Sequence, residues 1–321
     1  HVASTGGLWE SELAAQGIQH HKILDIDSKN PVTVLKLLFS IHQIIKQKGI
    51  TIVHTHHRMA AFYIRLLKFV CPKLTHVYTA HNVFKDKLPL YRFALKNSKS
   101  VAVGEAVNNN LKEDVGITDS KVIYNGVILK ETDNQVDDIV GYDGTKLGCI
   151  ARLSEQKGLT YLIEAMSLLT VKNIRLFIVG DGELRNELEN KVEELHLQDS
   201  ITFLGYRQDI VECINSFDFL VSSSLFEGLA LNIIEAFMNG KTMVATDIPG
   251  INEVVNDENG ILVPAQNPGA LAAAIDKLAT DVPLRNRLAF HAQKTYEEKF
   301  SYSMFLENYR ALYREIQGEP K

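Results

Sequence analysis

Cysteine is scarce. Cys71, Cys149 and Cys213 are the only thiols in 321 residues, and no CxxC pair occurs. That excludes a disulfide-stapled fold and leaves no spacing that signals a zinc site. Such a chain suits a reducing compartment, so a cytoplasmic location is expected. No run of 18 apolar residues is present, so no segment is expected to span a bilayer. The chain opens at His1 without a signal-peptide pattern. Low-complexity tracts and repeats of about 20–50 residues are missing too, which excludes collagen-like, disordered and solenoid architectures. Positive charge is not in surplus: 34 Lys and Arg stand against 39 Asp and Glu, a net charge of -5. A general nucleic-acid coat is thereby excluded.

What is present is ordinary for a soluble globular protein, with 45% apolar and 23% charged residues. The length suggests two domains. Short apolar runs at 51–55, 75–79, 100–103, 121–124, 146–151, 175–179, 200–204, 217–221, 242–246 and 260–263 read as parallel strands buried on both faces. Helical patterns lie between them. One covers 32–48, with Leu35, Leu38, Phe39, His42 and Ile45 on one stripe. Another covers 157–169, with Leu159, Leu162, Ile163 and Met166. Alternating strands and helices predict an α/β fold. The acidic, apolar-poor stretch 130–142 reads as a linker between two such domains. Charge is uneven: residues 58–100 hold nine Lys and Arg against one acid, Asp86. That basic lobe is either a solvated helix face or a surface for an anionic partner.

Ligands of open α/β sheets gather at the carboxyl ends of the strands, so the residues following each run are the candidates. After 146–151 comes Arg152-Leu-Ser-Glu-Gln-Lys157-Gly158 and a helix. Two cations beside unpaired backbone N–H groups suit a diphosphate, although two surface bases at a turn would read alike. After 175–179, Gly180-Asp181-Gly182 lacks the third glycine of a dinucleotide fingerprint. It reads as a tight turn close to a ligand. After 217–221 stand Glu227 and, within the next helix, Glu235, among Ile233, Ile234 and Phe237. A carboxylate there is costly unless hydrogen-bonded. A pair of ribose hydroxyls would satisfy it; the alternative is a solvent-facing Glu. His81 follows 75–79 and could polarise a hydroxyl, hold a phosphate or bond a loop carbonyl. His54, His56 and His57 alternate across a strand, so no metal site is expected from them.

Taken in order, the strand-Arg152-Leu-x-x-x-Lys157-Gly turn, VGDGELR, SLFEGLALNIIEA and TMVATDIPGINE closely resemble family 4 glycosyltransferases. These are retaining enzymes of the GT-B fold, whose EX7E motif matches Glu227 and Glu235. The resemblance implies two Rossmann-like domains facing across a cleft. Residues 1–135 form an acceptor domain, 141–300 a nucleotide-sugar domain, and 301–321 a helix crossing back to the first. It also implies that Arg152 and Lys157 hold the donor diphosphate, that Glu235 bonds the ribose, and that Glu227 contacts the sugar near its reacting carbon. Gly182, Gly228, Leu229, Ala230 and Leu231 complete the donor site, and Tyr206 and Arg207 lie beside the base. His81 approaches the sugar or the incoming hydroxyl, so His81, Glu227, Arg152 and Lys157 are the catalytic candidates.

No metal or cofactor is expected, because the cations offset the leaving-group charge. A UDP-sugar is the default donor, with GDP open, and the expected acceptor is a glycan or lipid-linked sugar of polysaccharide or cell-envelope synthesis. The basic 58–100 lobe suggests attachment to the anionic inner face of a membrane. The family's first strand, glycine loop and helix have no counterpart: His1 to Glu10 reads like its second strand and following helix. The chain by itself is therefore expected to be poorly active or inactive, unless Gly6-Gly7 is that glycine loop. Ala230 and Thr242 stand where proline is frequent, and Asn82 where Asp or Gly is common. A dehydrogenase would need a complete glycine fingerprint. A GT-B sugar-nucleotide epimerase and a non-catalytic nucleotide-sugar-binding module remain as alternatives.

Overall fold

The computed structural model describes residues 1–128 and 132–318, and these divide into two compact units. The first comprises His1–Val103 and Val107–Val122; the second comprises Gly104–Ala106 and the described residues from Ile123 onward.

In the first unit, β1 (Val2–Ser4), α1 (Glu10–Ala15) and β2 (His20–Lys22) form a two-stranded parallel sheet. α2 (Pro31–Gln47) follows. Then β3 (Ile52–Thr55), α3 (Arg58–Leu67), β4 (Thr75–Ala80), α4 (Leu88–Leu95), β5 (Lys99–Ala102), α5 (Glu105–Asn109, whose first two residues belong to the second unit) and β6 (Ser120–Val122) follow, the four strands forming one sheet. Its strands are parallel and stand in chain order. Neither β1 nor β2 follows from an apolar run: β1 falls where the resemblance set a strand within His1 to Glu10, and β2, of sequence His-His-Lys, had no signal.

α2 starts where Asn30 accepts hydrogen bonds from the backbone N–H groups of Val32 and Thr33, with Pro31 at the first helical position. The stripe expected on this helix is corrected. Leu35 and Phe39 are 67% and 64% exposed, whereas Leu37 and Ile45 are buried. Leu38, Ile41 and Ile45 pack with Ile64, Leu67 and Leu74. The helix is apolar on more than one side, so its 3.6-residue period allows two overlapping faces, and contact with α3 selects the one through Leu37 and Ile45.

The second unit opens with α6 (Asp137–Val140) and a six-stranded parallel sheet ordered β12-β11-β10-β7-β8-β9. The elements are β7 (Thr145–Ile150), α7 (Leu159–Ser167), β8 (Ile174–Val179), α8 (Arg185–Glu194), β9 (Ile201–Gly205), α9 (Ile210–Ser216), β10 (Phe219–Ser222), α10 (Leu231–Met238), β11 (Met243–Thr246) and β12 (Ile261–Val263). Three helices close the chain: α11 (Pro268–Thr280), α12 (Val282–Thr295) and α13 (Tyr302–Gln317). Residues 319–321, the end of the expected last helix, lie outside the described residues.

Leu147, Leu176, Phe219 and Val244 on the strands pack with Leu162 on α7 and Ile275 on α11, all fully buried. Burying each such large side chain contributes roughly 1.5–3 kcal/mol. The expected stripe Leu159, Leu162, Ile163 and Met166 faces this core.

The stretch read as a linker is fastened down where it is described; Lys130 and Glu131 lie outside the described residues. Val136 N–H donates to Ser216 Oγ (2.8 Å), Asn215 Nδ2 donates to the Thr132 carbonyl (2.6 Å), and Ile139 is fully buried. Two apolar anchors among the acids suffice to dock α6 on α9.

Candidate functional site

The carboxyl ends of β7, β8, β9 and β10 carry four loops that are tied to one another. Leu153 N–H donates to the Asp181 carbonyl and Leu184 N–H to the Leu153 carbonyl, both at 3.0 Å. Gly180 N–H donates to the Gly205 carbonyl (2.8 Å), and Leu225 N–H to the Gln156 carbonyl (2.8 Å). Asn232 Nδ2, on the first turn of α10, donates to the Ile150 carbonyl at the end of β7 (2.9 Å).

The glycines of VGDGE serve this lacing. A Cβ at Gly180 would lie 2.0 Å from the Ala151 carbonyl oxygen, and one at Gly182 would lie 2.4 Å from that of Leu153. The β8 loop can cross the β7 loop only as bare backbone.

Lys157 ends a single 3₁₀ turn, Glu155–Lys157, ahead of α7. Its Nζ is 2.6 Å from Glu227 Oε1. The same carboxylate accepts from Ser224 Oγ (2.8 Å) and from Gln156 Nε2 (3.3 Å). Gln156 Nε2 also donates to the Phe226 carbonyl (2.9 Å), and Ser223 Oγ to the Lys157 carbonyl (2.8 Å). The Glu227 side chain is only 8% exposed, so these donors replace the water it loses.

Glu235 is treated differently. It lies in α10 among the buried Ile233, Ile234, Ala236 and Phe237. Among the described residues its carboxylate has no hydrogen-bond or ion-pair partner. Burial raises its pKa above the ordinary carboxylate value.

The remaining donor-site candidates fall on the same loops. Arg152 is exposed just past β7. Gly228 adjoins Glu227, Leu229 and Ala230 are buried, and Leu231 is exposed where α10 begins. Tyr206, after β9, is 75% exposed. Arg207 is committed to Asp209, with Nε 2.8 Å from Oδ1 and a second contact from Nη2 to Oδ2. That pairing raises the arginine pKa and lowers that of the aspartate. The fold thus collects the second-unit candidates at one sheet edge, with Lys157 and Glu227 in direct contact.

His81 belongs to the first unit, directly after β4. Its Nε2 is 2.9 Å from Nδ1 of His56, which follows β3. His56 stacks on His54 with centroids 4.4 Å apart. His54 Nε2 is 2.7 Å from Thr79 Oγ1, and the buried His76 Nε2 is 2.8 Å from Thr55 Oγ1. Burial, followed by the charges of His56, His76 and His81, pushes His54 down to about 3. Burial, then Lys68, pushes His76 to about 4. His57 turns away: its Nδ1 accepts from Met59 N–H at the start of α3 (3.3 Å), and its Nε2 is 3.8 Å from Asp27. Among the described residues no group of three or more His, Cys, Asp or Glu is placed to hold a metal ion.

Within 58–100, several bases are engaged. Arg58 bonds Asp86 (2.8 Å) and lies over the Phe84 ring, Arg92 donates to the Val115 carbonyl, and Lys68 to that of Asn97. Lys73, Lys85, Lys87 and Lys96 are exposed. Among the described residues no helix is long and apolar enough to cross a membrane.

Sequence reasoning missed the roles of Ser224, Gln156, Asn232 and His56. Gln156 reaches Glu227 only because the β7 and β10 loops approach each other, while Ser224 reaches it within one loop, three residues away. Glu253, at the end of TMVATDIPGINE, accepts from Glu105 N–H (2.6 Å) and Ala106 N–H (3.3 Å) within the second unit.

Residues 140–295 match the family model described as glycosyl transferases group 1, and residues 1–131 match glycosyltransferase family 4. The uncharacterized glycosyltransferase MJ1607 of Methanocaldococcus jannaschii is 26% identical over 300 residues, 83% of this chain and 77% of that protein. The crystal structure of a glycosyltransferase from Rickettsia africae ESF-5 aligns with a TM-score of 0.83 at 26% identity, covering 98% of this chain and 89% of that one. HepE (Alr3699) of Anabaena, solved in complex with UDP, shares the fold with a TM-score of 0.84 at 21% identity, covering 95% and 89%.

Proposed function

The chain belongs to glycosyltransferase family 4 and has the GT-B fold, and from that premise we propose that it moves a sugar from a UDP-sugar to a glycan or lipid-linked acceptor with retention of configuration. The observation that carries this reading is the contrast between two acids eight positions apart. Glu227 is held by Lys157, Ser224 and Gln156, while Glu235 is buried and unpaired among the described residues. A nucleotide-sugar supplies what each needs: diphosphate charge for Lys157 and Arg152, sugar hydroxyls for Glu227, and two ribose hydroxyls for Glu235. UDP is favoured because HepE, of the same fold, was solved with it.

In the proposed reaction the bond between the sugar anomeric carbon and the diphosphate oxygen breaks. The acceptor oxygen forms its bond on the same face, and the departing phosphate takes the acceptor proton. Arg152, Lys157 and the backbone N–H groups at the start of α7 stabilise the growing negative charge, so no metal is invoked. His81 serves the sugar or the incoming hydroxyl. Tyr206 offers its ring to the base. The exposed lysines of 58–100 are proposed to meet an anionic membrane, each contributing about 1 kcal/mol; salt-sensitive flotation with anionic vesicles tests this separately.

The transferase reading is tested by incubating the protein with UDP- and GDP-sugars, with and without glycan or polyprenyl-phosphate-linked acceptors. Acceptor-dependent release of the nucleoside diphosphate, with an axial or equatorial anomeric bond matching the donor, is the expected result. Epimerised donor, or tight binding without release under every acceptor, would replace it with one of the competing readings.

A further inference from the structure

β3 and β4 are parallel neighbours in register, with Thr55 opposite Tyr78. The residues following them therefore leave the sheet side by side, and this brings His56 and His81 together. His56 Nδ1 and His81 Nε2 are 2.9 Å apart, with ring centroids at 5.2 Å. The His56 ring is itself held by stacking on His54, which Thr79 anchors. Neither His56 Nε2 nor His81 Nδ1 has a hydrogen-bond partner among the described residues.

Two imidazole nitrogens at hydrogen-bond distance must differ: one carries the proton and the other offers a lone pair. Both rings can keep the tautomer that free histidine favours, with the proton on Nε2, only if His81 Nε2–H donates to His56 Nδ1. His81 then presents the Nδ1 lone pair as its remaining polar atom. A second N–H on His56 Nδ1 would point at the first, so the pair accepts one added proton and not two. The further titratable group that faces the pair is His54 on β3, which interacts with both His56 and His81.

We propose that His56 is a positioning residue that fixes His81 in the Nε2–H tautomer, so that His81 meets its ligand through Nδ1 as a hydrogen-bond acceptor. The inference rests on the proposed function for the identity of that ligand, a hydroxyl of the sugar or the acceptor. The tautomer itself does not depend on it. Burial and the neighbouring His56 both lower the His81 pKa, which keeps the Nδ1 lone pair available at neutral pH.

The test uses the full chain labelled with ¹⁵N in its histidines, with long-range ¹H–¹⁵N spectra recorded without any nucleotide. Wild type is expected to show His81 protonated on Nε2 and bare on Nδ1. His56→Phe should give a mixture of tautomers. His56→Asn, whose side-chain oxygen can accept at nearly the same point, should restore the wild-type pattern. In turnover with the best donor and acceptor, His56→Phe should lower kcat about tenfold and displace the acid limb of the pH profile, with KM for the donor unchanged and His56→Asn recovering most of the rate. A wild-type His81 protonated on Nδ1, or a tautomer indifferent to His56→Phe, overturns the proposal. The expected spectra in a protein that transfers no sugar from any donor would leave the pair standing and overturn the transferase reading instead.

Discussion

Lys157 Nζ lies 2.6 Å from Glu227 Oε1, so the cation proposed for the donor diphosphate and the acid proposed for the donor sugar are partners of each other. Their side chains are 18% and 8% exposed, which places the pair between a surface bridge and a buried one. Lys157→Met strands the carboxylate, although Ser224 and Gln156 still donate to it. A loss of about 1–3 kcal/mol in urea denaturation is expected. Adding Glu227→Gln should return part of that loss, so the double variant will be more stable than the two single costs imply. Turnover by Lys157→Met should fall about 10²–10³-fold, the scale for removing one donor to a developing anion.

Glu235 leads to the opposite stability prediction. Its raised pKa means that the folded protein binds a proton more readily there than the unfolded chain does. Stability contributed by this group therefore falls as pH rises from the ordinary carboxylate value through the folded one. Glu235→Gln removes the buried charge and should raise the melting temperature at pH 7. The same change should weaken UDP binding, because two hydrogen bonds from ribose to a charged acceptor become weaker ones. Calorimetric titration should show a loss of about 10-fold or more. A variant that is destabilised at pH 7 with unchanged UDP affinity would remove Glu235 from the site.

The ten apolar runs all coincide with strands, most clearly in β4, β8, β10 and β11, which are buried on both faces and so need continuous apolar sequence. β2 was missed for the converse reason: His20, His21 and Lys22 form an edge pair with β1, and an edge strand need not be apolar. The expected α2 stripe differs from the buried one because Leu35 and Phe39 share a helical stripe with Leu38 and Ile45, while Leu37, Ile41 and Ile45 form a second that overlaps it; only a neighbouring element can choose between faces. At the candidate site, the place of Arg152, Lys157, Glu227 and Glu235 after their strands was legible from the order of apolar runs, while their roles come only from the resemblance. The contacts that hold the candidate residues, Ser224 and Gln156 to Glu227 and His56 to His81, were not legible. Gln156 to Glu227 and His56 to His81 each join residues from different loops, a proximity set by strand order that no local pattern encodes, whereas Ser224 to Glu227 spans three residues of one loop and depends on how that loop turns.

The crossing of the β7 and β8 loops makes Gly180 a structural requirement. Its φ is +134°, and a Cβ would stand 2.0 Å from the Ala151 carbonyl oxygen, a backbone atom with no flexible end to move. Gly180→Ala should cost about 3 kcal/mol or more, combining the clash with the backbone strain. Gly205→Ala is the control. It has φ of +70°, and the nearest atom is the end of the Arg185 side chain at 3.6 Å, so only the left-handed strain of about 1 kcal/mol is expected. Urea midpoints of the two variants, at equal slopes, decide whether close approach or conformation dominates.

The buried histidines of the first unit should make the protein sensitive to mild acid. His76 is 1% exposed, bonds Thr55 Oγ1, and is pushed down to about 4 from an ordinary 6.5. Between those values the unfolded chain takes up a proton that the folded protein refuses. The contribution is complete above pH 6.5 and lost progressively as pH falls toward 4, at up to about 1.4 kcal/mol per pH unit. His54, at about 3, extends the loss further downward. His76→Gln keeps a polar group that can reach the Thr55 hydroxyl and cannot titrate. Whatever its constant cost, it should flatten the fall in stability between pH 6 and 4.5 by about 1 kcal/mol per pH unit. Urea denaturation of wild type and variant across that window reads the difference in slope. Parallel curves would mean that His76 is protonated in the folded protein and that Thr55 accepts its hydrogen bond from an imidazolium.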